Sequence, residues 1–347
     1  MPDSSHIAVD AMGGDEGLAV MLAGVARARR QFDGLRFLLV GDETAIAEGL
    51  KSHPNLNAHS EIIHAPDVVG PSDKPGQALR RAKTTSMGIA IDLVKQGRAG
   101  AAVSSGNTGA LMAMAKLSLR MLPGIDRPAL AAMLPTLGDN DVVVLDLGAN
   151  TECEAKNLVQ FAVMGAAYAR TNLDLASPRV ALLNIGSEDQ KGTGEIRDAA
   201  TALRAADHLP MTFAGFIEGD KLSRGTVDVI VCDGFSGNIA LKTAEGTARF
   251  VGDLLKRAFR SSVRSKIGFL ISRPATELLR HHLDPNTHNG AVFLGLNGIV
   301  VKSHGGASEL GVATAIGAAA KMVRDELTRR ISDDLRHFED KVGDGAA

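Results

Sequence analysis

The residues able to do chemistry sit in six short polar stretches, each directly after a run of small or β-branched apolar residues. The clearest is Val227–Gly246, VDVIVCDGFSGNIALKTAEG. Val227, Val229, Ile230 and Val231 read as a parallel strand covered on both faces. Asp233, Gly234, Ser236, Gly237 and Asn238 then fill the turn into a helix that is under way by Ala240. Backbone N–H groups lack partners at such a helix start, and the end carries roughly half a positive charge, so an anion such as phosphate fits there. In Ser104-Ser105-Gly106-Asn107-Thr108-Gly109, hydroxyls, an amide and two glycines precede a helix over Ala110–Arg120, which predicts an anion or carbonyl site. Asn184–Gly194 holds Gly186, Gly192 and Gly194 and one lysine, Lys191. A lysine flanked by glycines after a buried strand is better placed to reach an anion than an ordinary solvated one. Asp10–Asp15 (DAMGGD, with Gly13 and Gly14), Asp146–Asn150 (DLGAN) and Ser303–Gly306 (SHGG) complete the set. Taken alone, the GGD stretch reads as a tight turn with Asp15 as helix cap.

The chemistry of such a set is positioned donation. Backbone amides hold an anion while Lys and Asn stabilise a developing oxyanion, each donor contributing about 3–4 kcal/mol to the transition state. Other chemistries lack their signatures. The ten histidines show no H-x-x-x-H pair and the two cysteines, Cys153 and Cys232, no C-x-x-C. A Walker loop, a G-x-G-x-x-G fingerprint and a G-x-S-x-G elbow are also missing. No cofactor or metal is expected.

The elements that must position these loops alternate strand, glycine-rich turn and helix along 347 residues. Strands are predicted at Ile7–Asp10, Leu35–Val40, Ser60–His64, Ala101–Ser104, Ala129–Leu134, Val142–Leu145, Val180–Leu183, Met211–Ala214 and Val227–Val231, with a pair at Gly290–Leu296 and Gly298–Lys302. Helices are predicted at Leu18–Gln31, Glu43–Ser52, Ala78–Gln96, Ala110–Arg120, Glu154–Arg170 and, broken once, Ala307–Phe338. The pattern predicts a three-layer α/β/α architecture with a mostly parallel sheet and ligands at the strands' carboxyl ends. One large domain over 1–340, divisible into two lobes, and a frayed tail at 341–347 are expected. Hydrophobic residues make up 45% of the chain, enough for a large core. Net charge of −2 and 3% aromatics argue against nucleic acid. Two distant cysteines and the absence of a signal-like start at Met1–His6 or of an 18-residue apolar run point to the cytoplasm, with any membrane contact peripheral.

One segment, 250–282, departs from this pattern. Phe250, Val251, Leu254, Leu255, Ala258 and Phe259 form one helical face, with Lys256, Arg257, Arg260 and Arg264 elsewhere on the turn. The helix is expected to run to Ile267 and to break at Gly268 before the apolar tip Phe269-Leu270-Ile271, with a second helix over Ala275–His282. Seven Lys/Arg against two Asp/Glu from Asp253 to His282 give a balance of +5. A protruding basic amphipathic arm suits a membrane surface; it equally suits dimerisation with its apolar face covered by a second subunit. Arg80, Arg81 and Lys83 make a smaller basic cluster, either a solvated helix face or a landing patch for an acidic partner.

The ordered motifs IAVDAMGGD, SSGNTGALM, LDLGAN, LLNIGSEDQKG, GFIEGD, DGFSGNIALK..EG and NGAVFLGLNGIVVKSHG resemble those of the PlsX-type phosphate acyltransferases, from about Ile7 to Lys321. The resemblance implies a fold like that of isocitrate and isopropylmalate dehydrogenases and phosphate acetyltransferase, and a homodimer. It implies transfer of a fatty acyl group from acyl carrier protein to inorganic phosphate, giving acyl phosphate for the membrane enzyme that acylates glycerol 3-phosphate. By resemblance Lys191 and Asn238 stand at the reacting centre. Ser105, Gly106, Asn107 and Thr108 line the phosphate or pantetheine end. Asp10, Gly13, Gly14, Asn150, Asn184, Gly186, Asp233, Gly237 and His304 surround it, His304 as a possible proton donor to the leaving thiolate. The two basic clusters and the Phe269-Leu270-Ile271 tip become candidate contacts for the acidic carrier protein or the membrane. The chain departs from the family pattern in lacking a proline soon after GGDEGL and in reading GAS after SHG, so Ser308 receives no role. Cys153 offers a rival, covalent acyl-thiol route. A dehydrogenase and a non-catalytic membrane adaptor are the alternatives from other classes. The first would need a dinucleotide and a metal site, and the second leaves six polar loops unexplained.

Overall fold

The structure, a computed structural model, describes residues 5–344. Residues 1–4, and 345–347 of the expected frayed tail, lie outside the described residues. The first part of the chain forms β1 (His6–Asp10), α1 (Gly17–Gln31), β2 (Arg36–Gly41), α2 (Glu43–Leu50), α3 (Pro54–Asn57), β3 (Ser60–His64), α4 (Pro75–Arg80), α5 (Ser86–Lys95), β4 (Ala101–Ser104) and α6 (Thr108–Leu119). The middle forms β5 (Ala129–Leu134), β6 (Val142–Leu145), α7 (Ala155–Asn172), β7 (Arg179–Leu183), α8 (Gly194–Ala205), β8 (Thr212–Ile217) and β9 (Val229–Val231). The remainder forms α9 (Gly234–Arg260), α10 (Val263–Ile271), α11 (Arg273–His282), β10 (Ala291–Leu294), β11 (Ile299–Lys302), α12 (Glu309–Arg324) and α13 (Leu327–Asp344).

Eleven strands make one sheet in the order β3-β2-β1-β4-β11-β10-β5-β6-β9-β7-β8. Their side chains alternate between two cores, as the two-residue period of a strand requires. Ile7, Val9, Val143 and Leu145 face one core, and Ala8, Val142 and Val144 the other. Helices cover both faces, which is why these short runs carry no polar side and why the three-layer expectation holds.

The sheet consists of two parallel blocks. Strands β1 to β4 and β11 run one way, and β6, β9, β7 and β8 run together. Between them β10 is antiparallel to β11 and β5, and β5 to β6, so the blocks run in opposite senses. The register has a consequence for the loops. Val301 pairs with Val292 and Val292 with Ala131. Ala132 pairs with Val144, so Leu145 falls opposite Ala131 one step on. Leu145, the end of β6, therefore lies level with Val301, one residue from the end of β11 at Lys302. Lys302 pairs in turn with Ser104, the end of β4. Both blocks stop on one line across the sheet. The ends of β11 and β6 are three strand spacings apart, roughly 14 Å.

Several expected boundaries change. The single helix expected over Ala78–Gln96 is two, because Thr85 caps a new start by accepting from Gly88 N. Asp15 does not cap α1: Glu16 holds that position without a side-chain bond, and Asp15 N donates to the Gly305 carbonyl instead. Strand β8 runs on through Gly215 to Ile217, where a turn was expected. The arm starts as early as Gly234, since α9 is one 27-residue helix. Its break falls at Ser261-Ser262, where the Ser262 side chain accepts from Ser265 N, and Gly268 lies inside α10. At the end of the chain α13 continues to Asp344, past the start of the expected tail.

Candidate active site

The first half of the site gathers at the ends of β1, β4 and β11. Asp10 is fully buried there and accepts from the Ser104 hydroxyl at 2.7 Å. Burial pushes its carboxyl up, and Ser86, Ser104 and the amides of Met12 and Gly13 act against that. Asp10 is thus a support beneath the loops. A side chain at Gly13 would meet Asp10 Oδ2 at 2.7 Å and Gly106 N at 3.0 Å, so glycine lets the two loops interlock. Ser105 is buried, with its hydroxyl 3.5 Å from Met21 Sδ. Asn107 caps α6 through Ala110 N at 3.0 Å, and its amide donates to the carbonyls of Pro71 and Asp73. Thr108 is exposed on the first turn of α6.

Sequence reasoning missed Lys302. It ends β11, in register with Ser104. Its Nζ donates to the Ser105 carbonyl at 3.2 Å and to the Ser303 carbonyl. Two of its three donors are so used. Burial holds its ammonium down to about 8, against the pull of Asp15 and Asp10. The available signal was a lone lysine closing the apolar run Ile299–Val301 just before SHGG. Next to it, His304 is exposed; its backbone N–H donates to Asn289 Oδ1 at 2.9 Å. Its Nδ1 accepts from Gly306 N at 3.2 Å, which leaves the proton of the neutral ring on Nε2. Partial burial lowers the His304 pKa; Glu245 acts to raise it, and Lys302, Lys242 and Arg249 lower it further.

The second half forms at the ends of β6, β7 and β9 around Asp146, also missed. Asp146 Oδ1 accepts from the backbone N–H groups of Leu130, Gly148 and Ala149 at 2.9, 3.1 and 2.9 Å. Oδ2 accepts from Asn150 N and Nδ2 at 2.7 and 2.9 Å. Burial raises its pKa and these bonds lower it. Asn150 spends its amide on Asp146 and on the Pro128 carbonyl. Asp233 caps α9 by accepting from Ser236 N and Oγ at 2.8 and 2.9 Å. A side chain at Gly237 would come within 2.0 Å of the Asp146 carbonyl oxygen, so only glycine lets α9 start this close. Asn238 then stands exposed beside Gly148, and its amide makes no hydrogen bond among the described residues. Asn184 is buried. It accepts from Ile185 N at 2.8 Å and donates to the Lys191 carbonyl at 3.2 Å, folding the loop that carries Lys191 and Gly186. The Lys191 ammonium is exposed and makes no ion pair among the described residues. Among the described residues, no hydrogen bond joins Lys191 to Asn238.

Helix α9 connects the halves. It begins at Asp146 and Asp233, and its Lys242, Glu245 and Arg249 lie within electrostatic range of His304. The six loops thus form two clusters facing one line of the sheet, with Asn238 and Lys191 on one side and Lys302 and His304 on the other. Among the described residues no three His, Cys, Asp or Glu side chains come together as a metal site. Burial and the carboxylates of Asp146 and Asp233 push the Cys153 thiol up to about 11, the wrong direction for a nucleophile. Ser308, left without a role, caps α12. A hollow of ≈ 1400 Å³ beside α1, α12 and α13 is lined by none of the six loops.

Away from the site, Arg80 and Lys83 are exposed, while Arg81 pairs with Asp73 at 2.5 Å. On the arm Arg257, Arg260 and Arg264 are exposed and Lys256 pairs with Asp253 at 3.4 Å. Phe269, Leu270 and Ile271 are 40, 68 and 77% exposed. No helix among the described residues is long and apolar enough to cross a membrane.

A family model described as fatty acid synthesis protein matches residues 5–330. A phosphate acyltransferase of Erythrobacter litoralis is 64% identical over 339 residues, covering 98% of this chain and 96% of that protein. One of Rhodospirillum centenum is 53% identical over 339 residues, covering 98% and 95%. Among solved structures, the EutD phosphotransacetylase from Staphylococcus aureus superposes with a TM-score of 0.59 at 18% identity, covering 93% of this chain and 95% of that one. A structure described as a 4-hydroxythreonine-4-phosphate dehydrogenase from Salmonella typhimurium reaches 0.50 at 14% identity, over 92% and 99%. At these identities the likeness to solved structures is one of fold.

Proposed function

The chain belongs to the fatty acid synthesis protein family of phosphate acyltransferases, and on that premise we propose that it moves a fatty acyl group from acyl carrier protein to inorganic phosphate for phospholipid synthesis. Acyl transfer to phosphate is the family's reaction; the donor, the pathway and the roles below are our reading. The observation that carries it is the meeting of two donor clusters on one line of the sheet, Lys302 among the loops of one block and Asn238 beside those of the other. A transfer between two bound groups requires that arrangement.

In the proposed reaction a phosphate oxygen attacks the thioester carbonyl and a tetrahedral oxyanion forms. The C–S bond then breaks, giving acyl phosphate and a thiolate. The thiolate takes up the proton that hydrogen phosphate brought, either directly or by way of His304. Lys302 and the amides of the Ser105–Thr108 turn hold the phosphate, and Lys191 closes over its charge. Asn238 donates to the oxyanion, a role worth about 3–4 kcal/mol when the donor is fixed beforehand. Asp10, Asp146, Asn150, Asn184 and Asp233 hold the loops; Gly13, Gly14, Gly186 and Gly237 let them approach. Phosphate is already an anion at neutral pH, so positioning supplies most of the catalysis, without a metal or cofactor.

The same reading makes the enzyme a cytoplasmic homodimer. Acyl carrier protein, an acidic partner, docks on Arg80, Lys83 or the basic arm. The exposed apolar face of α9 meets a second subunit, and the tip at Phe269–Ile271 touches the membrane that houses the glycerol-3-phosphate acyltransferase. The test is release of free carrier-protein thiol from a long-chain acyl carrier protein with no added metal or nucleotide. Release that depends on phosphate, with acyl phosphate accumulating, supports the reading. Release that ignores phosphate, or none, overturns it.

A further inference from the structure

A half-open cavity of ≈ 550 Å³ lies at the carboxyl ends of β7 and β9, beneath the first turns of α7, α8 and α9. Its volume is within the range of about 300–1,000 Å³ usual for ligand pockets. Leu158, Leu182, Leu183, Ile196 and Val231 supply apolar wall. Its lining includes Asn184 and Gly192 from the loop that carries Lys191, and Ser236 from the start of α9, the helix that carries Asn238.

Polar residues also line it, but most of their hydrogen-bonding groups are engaged inside the protein. Glu195 Oε2 accepts from Ala155 N at 2.6 Å. Asp233 takes both Ser236 donors. Thr193 Oγ1 accepts from Ile196 N at 3.3 Å, and Asn184 is bonded to Ile185 N and the Lys191 carbonyl. A ligand rich in amides, such as a pantetheine arm, would find few partners and would pay for its own desolvation. A hydrocarbon chain needs none.

We propose that this cavity receives the acyl chain of the substrate, with the thioester carbonyl left at its mouth beside Asn238. The inference rests on the acyl-transfer reading. It makes the cavity the determinant of chain length, because each methylene buried there raises binding about fourfold and a blocked methylene position costs about 10–200-fold in discrimination.

The experiment compares kcat/KM for hexadecanoyl and octanoyl acyl carrier protein in the wild type, Ile196→Phe and Ile196→Ala. Ile196→Phe narrows the cavity and should lower the hexadecanoyl-to-octanoyl ratio tenfold or more. Ile196→Ala removes wall contacts without obstructing and should move the ratio several-fold in either direction. Because each ratio is internal to one protein, loss of folded material does not change it. Should Ile196→Phe fail to fold, an unmoved ratio in Ile196→Ala overturns the proposal on its own. A narrowing variant that raises KM equally for both donors would place the pantetheine arm there instead and also overturn it. A wild type that transfers neither chain overturns the reaction itself, and this inference with it.

Discussion

The Lys302 ammonium donates to the Ser105 carbonyl at 3.2 Å, joining the end of β11 to the turn after β4 across 197 residues of chain. The bond sets a cation at the mouth of the turn expected to bind an anion. Replacing Lys302 by Met should lower kcat/KM for phosphate about 10²-fold, the scale for one fixed donor. Phosphate saturation curves measure this, and an unchanged KM and kcat would remove Lys302 from the site.

The same group predicts a pH limb. The Lys302 pKa is lowered to about 8, so the ammonium is present below that pH and lost above it. Since kcat/KM reports the free enzyme, its value for phosphate should fall as pH rises through about 8. In Lys302→Arg the guanidinium stays charged, so the limb should vanish from the accessible range even if the rate is lower. An identical limb in the Arg variant would assign it to another group.

Asn238 and Lys191 carry the oxyanion and charge roles proposed above. Asn238→Ala and Lys191→Ala should each reduce turnover by about 10²–10³-fold while leaving the melting temperature within a few degrees, because neither side chain has a partner to lose among the described residues. Near-wild-type turnover in both would show that the reaction occurs elsewhere.

Asp146 has the opposite profile. Its carboxylate satisfies backbone N–H groups of Leu130, Gly148, Ala149 and Asn150, and Asp146→Ala should cost about 3 kcal/mol or more in urea unfolding. Asp146→Asn should not rescue it, because whichever oxygen becomes NH₂ will face donors. Full stability in Asp146→Asn would contradict this account.

Cys153, held near 11, should form no acyl intermediate. Mass spectrometry of acid-quenched turnover should find the residue unmodified, and Cys153→Ser should still turn over. An acyl adduct on Cys153 would restore the covalent route.

The chain's local order was legible in its sequence. Strands such as Ala101–Ser104, Ala129–Leu134 and Val142–Leu145 follow from β-branched or small runs bounded by turn residues, and their bounds match those found. The family, too, could be read from motifs, because each is a strand end with its glycine turn and such units keep their order along the chain. Helix breaks inside polar segments were not legible. Thr85 and Ser262 start new helices through single side-chain bonds that leave no period to read. Nor was the division of labour among site residues. Asp233, Asn150 and Asn107 looked like ligands, yet they spend their groups on caps and carbonyls, since a polar side chain at a helix start serves its own backbone first. Lys302 and Asp146 gained importance only through register and burial, which depend on residues far away in sequence. What tertiary structure alone decided is that two oppositely directed blocks end level with each other. Antiparallel β10 and β5 set that stagger, and pairing between strands more than a hundred residues apart cannot be read from either strand by itself.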